Sequence, residues 1–524
     1  MTNGNLLWVD DEIELLRAHL LFLKNKGYDV TTVTNGTDAI EQCQAHTFDL
    51  ILLDEMMPGI SGLETLQQIK EIHPQTPVVI VTKSEEENIM DQAIGQKIAD
   101  YLIKPVNPSQ ILLTLKKHIH RKEIVAEVAQ SQYQQSFGQL AMQIDDARTI
   151  ADWKALYRRL VSWELTLTEA DSQMTEMLQM QKEEANSAFA KFIKQNYLQW
   201  ADPKTFLGNS DRPTLSPDIF KKYVFSHLDS DNATPVFLIV IDNLRYDQWR
   251  VLAEEIGDMF DVEEDMYLSI LPTATQYARN AIFSGLMPNK IAEMFPELWV
   301  DEDSEEGKNL NEEPMIRTQI ERFRRHHSFS YHKINDSAAA ERFMDKYHTL
   351  EKNDLNVLVL NFIDMLSHAR TESKTVRELA GSEAAYRSIT RSWVKHSFLA
   401  ELFRMLANSR YHIILTTDHG SIRTSRTIKI IGDRNTNTNL RYKLGRNLNC
   451  QAKDIFTIKE PQKAQLPAPN ISTSYVFATG DSFFAYPNNY NYYASYYKDT
   501  FQHGGISMEE MLVPIITMKP RKKN

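Results

Sequence analysis

Leu50-Ile51-Leu52-Leu53-Asp54-Glu55-Met56-Met57-Pro58-Gly59 runs four apolar residues straight into a carboxylate and then into a turn. An unbroken apolar run of this length, closed by Pro-Gly, reads as a strand covered on both faces, as in a parallel sheet. Moving outward, Leu6–Val9, Asp29–Thr34, Val78–Val81 and Tyr101–Ile103 are also strand-like. Glu12–Lys26, Gly36–Ala45, Ser61–Ile72, Glu85–Ile94 and Pro108–His118 lie between them with helical spacing. The alternation predicts a doubly wound α/β domain over residues 1–118. Ligands of such sheets bind at the carboxyl ends of the strands, so Asp10, Asp11, Asp54, Thr82 and Lys104 should converge at one edge. Crowded carboxylates there favour a hard cation, and Mg²⁺ suits carboxylate and carbonyl oxygens together with phosphate. Asp54 is then placed to attack a phosphoryl donor, with Lys104 neutralising the transferring charge.

These residues, with Met57-Pro58-Gly59 and Lys104-Pro105, resemble the CheY-like receiver family. The resemblance implies phosphorylation of Asp54 by a histidine kinase, with Mg²⁺ at Asp10, Asp11, Asp54 and Met56. It also implies a switch through Thr82 and Tyr101 that changes a dimerisation face, giving a homodimer on phosphorylation. A Tyr101 that merely fills a core edge is the plainer alternative.

Beyond residue 118 the pattern changes. Arg121–Phe137, Ala147–Glu164 and Thr168–Trp200 repeat apolar residues at i, i+3, i+4 almost without Gly or Pro, predicting a helical bundle or linker over 119–205. Pro203, Gly208, Pro213 and Pro217 mark a loop-rich crossing. From 206 to 524 a large α/β domain is expected, with strands at Val236–Ile241, Ser328–Lys333, Val357–Phe362 and His412–Thr416. Helices are expected at Asp247–Ile256 and Ala384–Ala407, and a more irregular, β-rich stretch at 420–500.

In that half, polar metal-ligand types recur just after apolar strands. Asp242 follows the first, Asp364 and His368 the third, Asp418-His419-Gly420 the fourth, and His503-Gly504-Gly505 precedes a last apolar run. Asp364 and His368, four apart, share a face of a helical turn. A mixed Asp/His set points to Zn²⁺ or Mn²⁺ rather than Ca²⁺. Any one of these groups alone is commonly an N-cap or a satisfied polar residue; the ordered set is the signal. Between the first Asp and the others lies Leu271-Pro272-Thr273-Ala274-Thr275-Gln276-Tyr277, whose threonine hydroxyl would open a helix whose N-terminus favours an anion.

This order resembles the alkaline-phosphatase superfamily, and within it PglZ-type domains and the nucleotide pyrophosphatase/phosphodiesterases. Pro272-Thr273-Ala274-Thr275 and Gly285-Leu286-Met287-Pro288 match the latter's spacing, which maps the nucleophile to Thr275, with Thr273 as the alternative. The resemblance implies two Zn²⁺ ions, one at Asp364, His368 and His503, the other at Asp242, Asp418, His419 and the Thr275 hydroxyl. Gln276-Tyr277 departs from the aromatic-Pro pair that follows the nucleophile in the phosphodiesterases, which leaves the packing of a leaving group open. Asn243 and Arg279 are candidates for phosphate oxygens; the alternatives are a local backbone bond and a surface ion pair. Tyr490, Tyr492, Tyr493, Tyr496 and Tyr497 are suited to stack bases or to pack under a loop. Arg322, Arg324, Arg325, His326 and His327 face either phosphates or solvent.

The three-part order resembles PorX-type response regulators linked to type IX secretion. That kinship implies an extracytoplasmic-function sigma factor as partner and a nucleotide or oligonucleotide phosphodiester as substrate; a non-catalytic adaptor that binds a sigma factor or transcription machinery is the competing reading. The net charge is -12, with 17 Asp/Glu against 9 Lys/Arg in residues 1–118. A general basic footprint for duplex DNA is absent, and so is a short C-terminal helix-turn-helix. Two cysteines, Cys43 and Cys450, predict reduced thiols. With no signal-peptide pattern and no apolar run near the ~20 residues that span a bilayer, a cytoplasmic protein is expected.

Overall fold

The computed structural model describes residues 3–83, 98–170, 173–204, 212–229, 233–302, 307, 309–433, 436–450 and 453–521. The chain divides into two compact units, one of residues 1–132 and 169–172, the other of 133–168 and 173–524.

In the first unit, β1 (Gly4–Val9), β2 (Tyr28–Val33), β3 (Leu50–Asp54), β4 (Val78–Thr82) and β5 (Asp100–Ile103) form a parallel sheet in the order β2-β1-β3-β4-β5. Period-two alternation divides its apolar residues between two cores. Leu7, Val9, Ile51, Leu53, Val78 and Ile80 pack against the helices Gly36–Ala45 and Gly62–Ile72. Leu6, Trp8, Leu50, Leu52, Val79 and Val81 meet Leu23, Ile111 and Leu115 from the helices Arg17–Asn25 and Pro108–His118. Capping boxes at Ser61 and Asn107 start two of these helices where a polar side chain satisfies free N–H groups. The helix expected at Glu12–Lys26 is split: Ile13–Leu16 is a tight 3-10 turn before the α-helix begins. The expected helix Glu85–Ile94 lies outside the described residues.

Three long helices follow, Arg121–Asp146, Ile150–Glu169 and Thr175–Ala201. In the second unit the latter two are fixed to the α/β domain by buried charge. Lys182 Nζ meets Glu164 at 2.7 Å, Arg387 meets Glu164 at 2.7 Å and Asp247 at 3.1 Å, and Arg245 meets Asp247 at 2.7 Å. Asn186 donates to Glu509 at 2.9 Å and accepts from the Met508 N–H at 2.8 Å. Each of these buried charges has an opposite partner, the condition under which burial is tolerated. Carboxylates of Glu164, Asp247 and Glu383 do gather, but the surrounding Arg245, Arg387 and Lys182 already supply their counter-charge.

The central sheet of this unit has the order β7-β18-β10-β6-β9-β8, built from β6 (Val236–Ile241), β7 (Phe260–Leu268), β8 (Phe329–Ile334), β9 (Leu355–Leu360), β10 (His412–Thr416) and β18 (Leu512–Pro520). Strands β8, β9, β6 and β10 are parallel, and β18 is antiparallel to β10. The carboxyl ends of β6, β9 and β10 and the start of β18 therefore share one edge. Strand β9 stops at Leu360, two residues before the expected end, because Phe362–Glu372 is already helical. The helix expected at Ala384–Ala407 is two, Glu383–His396 and Phe398–Ala407. Ser397, in extended conformation, caps the second by accepting from the Leu399 N–H. The described residues of 420–502 supply short strands, β11 (Ile422–Arg423) through β17 (Phe501–Gln502), a 3-10 turn at Pro461–Ala464 and the α-helix Tyr490–Tyr497.

Candidate active site

At the shared edge the sequence-separated residues meet in two sets. Asp364, His368 and His503 place ligand atoms within 4.8 Å of one another, and so do Asp242, Asp418 and His419. The sets adjoin: the His419 and His503 rings stack at 4.3 Å, and the Asn243 side chain donates to Asp364 at 3.3 Å while its backbone N–H donates to Asp418 at 3.4 Å. Asn243 holds a positive φ of 64°, which turns the chain sharply after β6. His503 Nε2 is 3.7 Å from Asp364 and His368 Nε2 is 3.4 Å from it.

Thr275 begins the helix Thr275–Ser284. Its hydroxyl lies 3.1 Å from His419 Nε2 and 3.4 Å from Asp242 Oδ1. The Thr273 hydroxyl is committed elsewhere: it donates to the Gly505 carbonyl at 2.8 Å and accepts from the Gly504 N–H at 3.1 Å. Thr273 thereby ties the loop that carries His503 to the start of this helix.

The glycines of both motifs are backbone requirements. A Cβ on Gly420 would come 2.0 Å from the Glu509 carbonyl oxygen, and Gly504 has φ +121° beside the Tyr442 ring. Behind them Glu510, fully buried, accepts from the Gly505 N–H at 2.8 Å and from Arg441 at 3.0 and 2.5 Å. The Asp418 carbonyl accepts from Ser269 at 2.6 Å. Sequence reading missed Glu510, Arg441 and Ser269, since nothing local marks a residue that works on another segment's backbone.

Arg279 is buried, not at the surface. It donates to Asp242 at 2.7 Å and to Glu312 at 2.6 Å. Arg322 donates to the Ser284 carbonyl at 2.6 Å, and Arg325 and His327 both pair with Asp229. The Arg322–His327 stretch is thus largely engaged within the protein.

The electrostatics suit divalent cations. Asp418 Oδ2 is buried with no hydrogen-bond partner. Burial, then the nearby Asp418 charge, pushes the Asp242 carboxyl up to about 8 despite Arg279. Burial also holds His503 down to about 3, and His419 is lowered for the same reason. Both imidazoles are neutral, the form that binds metal. A cation held here would therefore displace a proton from Asp242. Divalent-metal affinity should rise about tenfold per pH unit between about pH 6 and pH 8 for one proton displaced, and then flatten. Titration against a competing chelator measures this; a flat profile over that window would count against the carboxylate crowding described.

At the edge of the first unit's sheet, Asp10, Asp11 and Asp54 form a third set within 4.8 Å. Lys104 Nζ sits 2.8 Å from Asp10 and 2.7 Å from Asp54. Burial raises the Asp54 carboxyl against the opposing pull of Lys104, so a hard cation fits this all-oxygen set. Met56 contributes a backbone N–H 3.4 Å from Asp54, with its side chain in solvent. The Thr82 hydroxyl bonds Glu55 at 3.4 Å, and Tyr101 is half-buried against the core.

A family model described as the BREX system PglZ alkaline phosphatase-like domain matches residues 219–518, more than half of the chain. The chain belongs to the PglZ family. The response regulator receiver domain matches residues 6–116 and the PorX response regulator linker domain 123–201. Receiver, linker and PglZ domain in this order make the PorX-type architecture. Among curated proteins, the alkaline phosphatase synthesis transcriptional regulatory protein PhoP of Bacillus subtilis is 30% identical over 169 residues, 32% of this chain and 69% of PhoP. The uncharacterized transcriptional regulatory protein YkoG of the same organism is 36% identical over 118 residues, 22% of this chain and 51% of YkoG. Chemotaxis response regulator CheY4 of Vibrio cholerae is a similar solved structure, 28% identical, covering 22% of this chain and 97% of its own, with a TM-score of 0.21. Among the described residues no helix is long and apolar enough to cross a membrane.

Proposed function

We propose that this PglZ-family response regulator is a cytoplasmic phosphodiesterase, with Thr275 as nucleophile and two Zn²⁺ ions held by Asp364, His368 and His503 and by Asp242, Asp418 and His419. The observation that carries the reading is the Thr275 hydroxyl at 3.1 Å from His419 and 3.4 Å from Asp242, at a helix N-terminus beside both ligand sets. When bound, the ions supply Lewis-acid neutralisation of a phosphoryl group. Thr275 Oγ attacks phosphorus and gives up its proton, the bond to the leaving oxygen breaks, that oxygen takes up a proton and departs as an alcohol, and a threonine phosphoester forms. Water then cleaves that ester, restoring the hydroxyl and releasing a phosphomonoester. The positive end of the helix favours the anion throughout.

A diester is preferred over a monoester because Arg279, the cation nearest Thr275 along the helix, is committed to Asp242 and Glu312 and has no reach left for a second phosphate charge. The test is hydrolysis of bis(p-nitrophenyl) phosphate and p-nitrophenyl phosphate by zinc-loaded protein. Faster turnover of the diester, abolished by chelator, is expected. Stoichiometric zinc without turnover of any diester would sink the enzymatic reading and favour an adaptor.

In the receiver, Asp54 accepts phosphate from a histidine kinase with Mg²⁺ at Asp10, Asp11 and Asp54, Thr82 and Tyr101 report the state, and phosphorylation promotes dimerisation. Asp54→Ala should abolish any change in oligomeric state or diester turnover under acetyl phosphate, read by light scattering and the same assay. Regulation of type IX secretion and a sigma-factor partner follow from kinship with PorX-type regulators.

A further inference from the structure

The helix Tyr490–Tyr497 contains no buried residue, yet Tyr490, Tyr492, Tyr493, Tyr496 and Tyr497 occupy five of its eight positions. Tyr492 and Tyr496 stack at 5.9 Å, and Tyr493 and Tyr497 at 6.1 Å. Their outer rings stay in solvent: Tyr492 is 63% and Tyr493 39% exposed. Tyr490, Tyr496 and Tyr497 are half-buried, with Tyr497 against Phe483 at 6.5 Å, so one side of the helix packs on the protein while Tyr492 and Tyr493 face outward. Cations are interleaved with the rings. The Arg377 guanidinium lies 5.0 Å over Tyr496, Lys429 Nζ lies 5.9 Å from the Tyr490 ring, and exposed Lys498 follows the helix.

The position ties this face to the candidate active site. The segment runs through β17 directly into His503. The Tyr497 carbonyl accepts from Thr424, four residues after Gly420. Arg377 belongs to the helix Lys374–Leu379, which packs against the helix bearing Asp364 and His368, and the His368 and His503 rings lie 6.0 Å apart.

Exposed tyrosine rings flanked by cations beside the candidate phosphodiester site fit single-stranded nucleic acid, whose bases stack while its phosphates meet the cations. We infer that the Tyr490–Tyr497 helix is a stacking platform for the bases of a single-stranded oligonucleotide substrate. The inference rests on the phosphodiester reading for its substrate class, and its test is a binding measurement that needs no turnover.

The experiment uses the full chain in a Thr275→Ala background, zinc-loaded, with a 5′-fluorescein oligothymidylate of about twelve nucleotides read by anisotropy. Adding Tyr492→Ala and Tyr493→Ala should weaken binding about tenfold or more, while Tyr492→Phe and Tyr493→Phe should retain it, because the ring and not the hydroxyl stacks. Zinc content and melting temperature report whether the fold is intact. Equal affinity of the alanine variant and its parent overturns the platform. So does an equal loss of tripolyphosphate binding, which shows charge alone, or a change in oligomeric state on alanine substitution, which shows a protein contact. Failure of bis(p-nitrophenyl) phosphate hydrolysis with a tyrosine-dependent oligonucleotide affinity would remove the catalytic reading and leave the platform standing.

Discussion

Thr275→Ala should lower turnover of bis(p-nitrophenyl) phosphate by about three orders of magnitude or more, since losing the proposed covalent nucleophile removes the first chemical step and leaves only binding and charge stabilisation. Metal content should hardly change, because the six Asp and His side chains stay in place. Thr273→Ala should behave differently. That hydroxyl bonds the Gly504 and Gly505 backbone, so its loss loosens the loop carrying His503 and should lower zinc affinity before it touches the chemical step. Kinetics at saturating zinc separate the two threonines: equal turnover by Thr275→Ala and the parent would remove the proposed nucleophile.

Glu510→Ala should cost about 3–5 kcal/mol of stability, the range for stranding one member of a buried ion pair. Arg441 and Glu510 are both fully buried and doubly bonded to each other, and Arg441 also donates to the Ser482 carbonyl. Removing the carboxylate leaves a guanidinium without its counter-charge and orphans the Gly505 N–H. Urea denaturation reads the loss. A cost below about 1 kcal/mol would mean that solvent or another carboxylate takes up the charge.

The receiver fold was legible because its elements are short and punctuated: apolar strands end in polar residues, and caps such as Ser61 and Asn107 announce the helices. Asp242, Asp364, His368, Asp418 and His419 stood out for the same reason, each lying just beyond a buried strand whose direction fixes the edge it reaches, whereas His503 precedes the last apolar run. What local pattern did not carry is long-range. Nothing near Glu164 or Lys182 announces their pairing with Arg387 and each other, and nothing near Arg279 says that it is locked between Asp242 and Glu312. The break at Ser397 was hidden by continuous helical spacing on both sides, where one capping hydroxyl outweighs periodicity.

The central claim is that two divalent-cation sites adjoin at the end of the large sheet. Its most direct measurement is bound zinc per chain, by elemental analysis of protein stripped with chelator, reloaded and desalted. The account predicts two ions in the parent chain and one in each of Asp418→Asn and Asp364→Asn, with diester turnover tracking full occupancy. A parent chain that retains no zinc after saturation, or variants that bind as much as the parent, would contradict it.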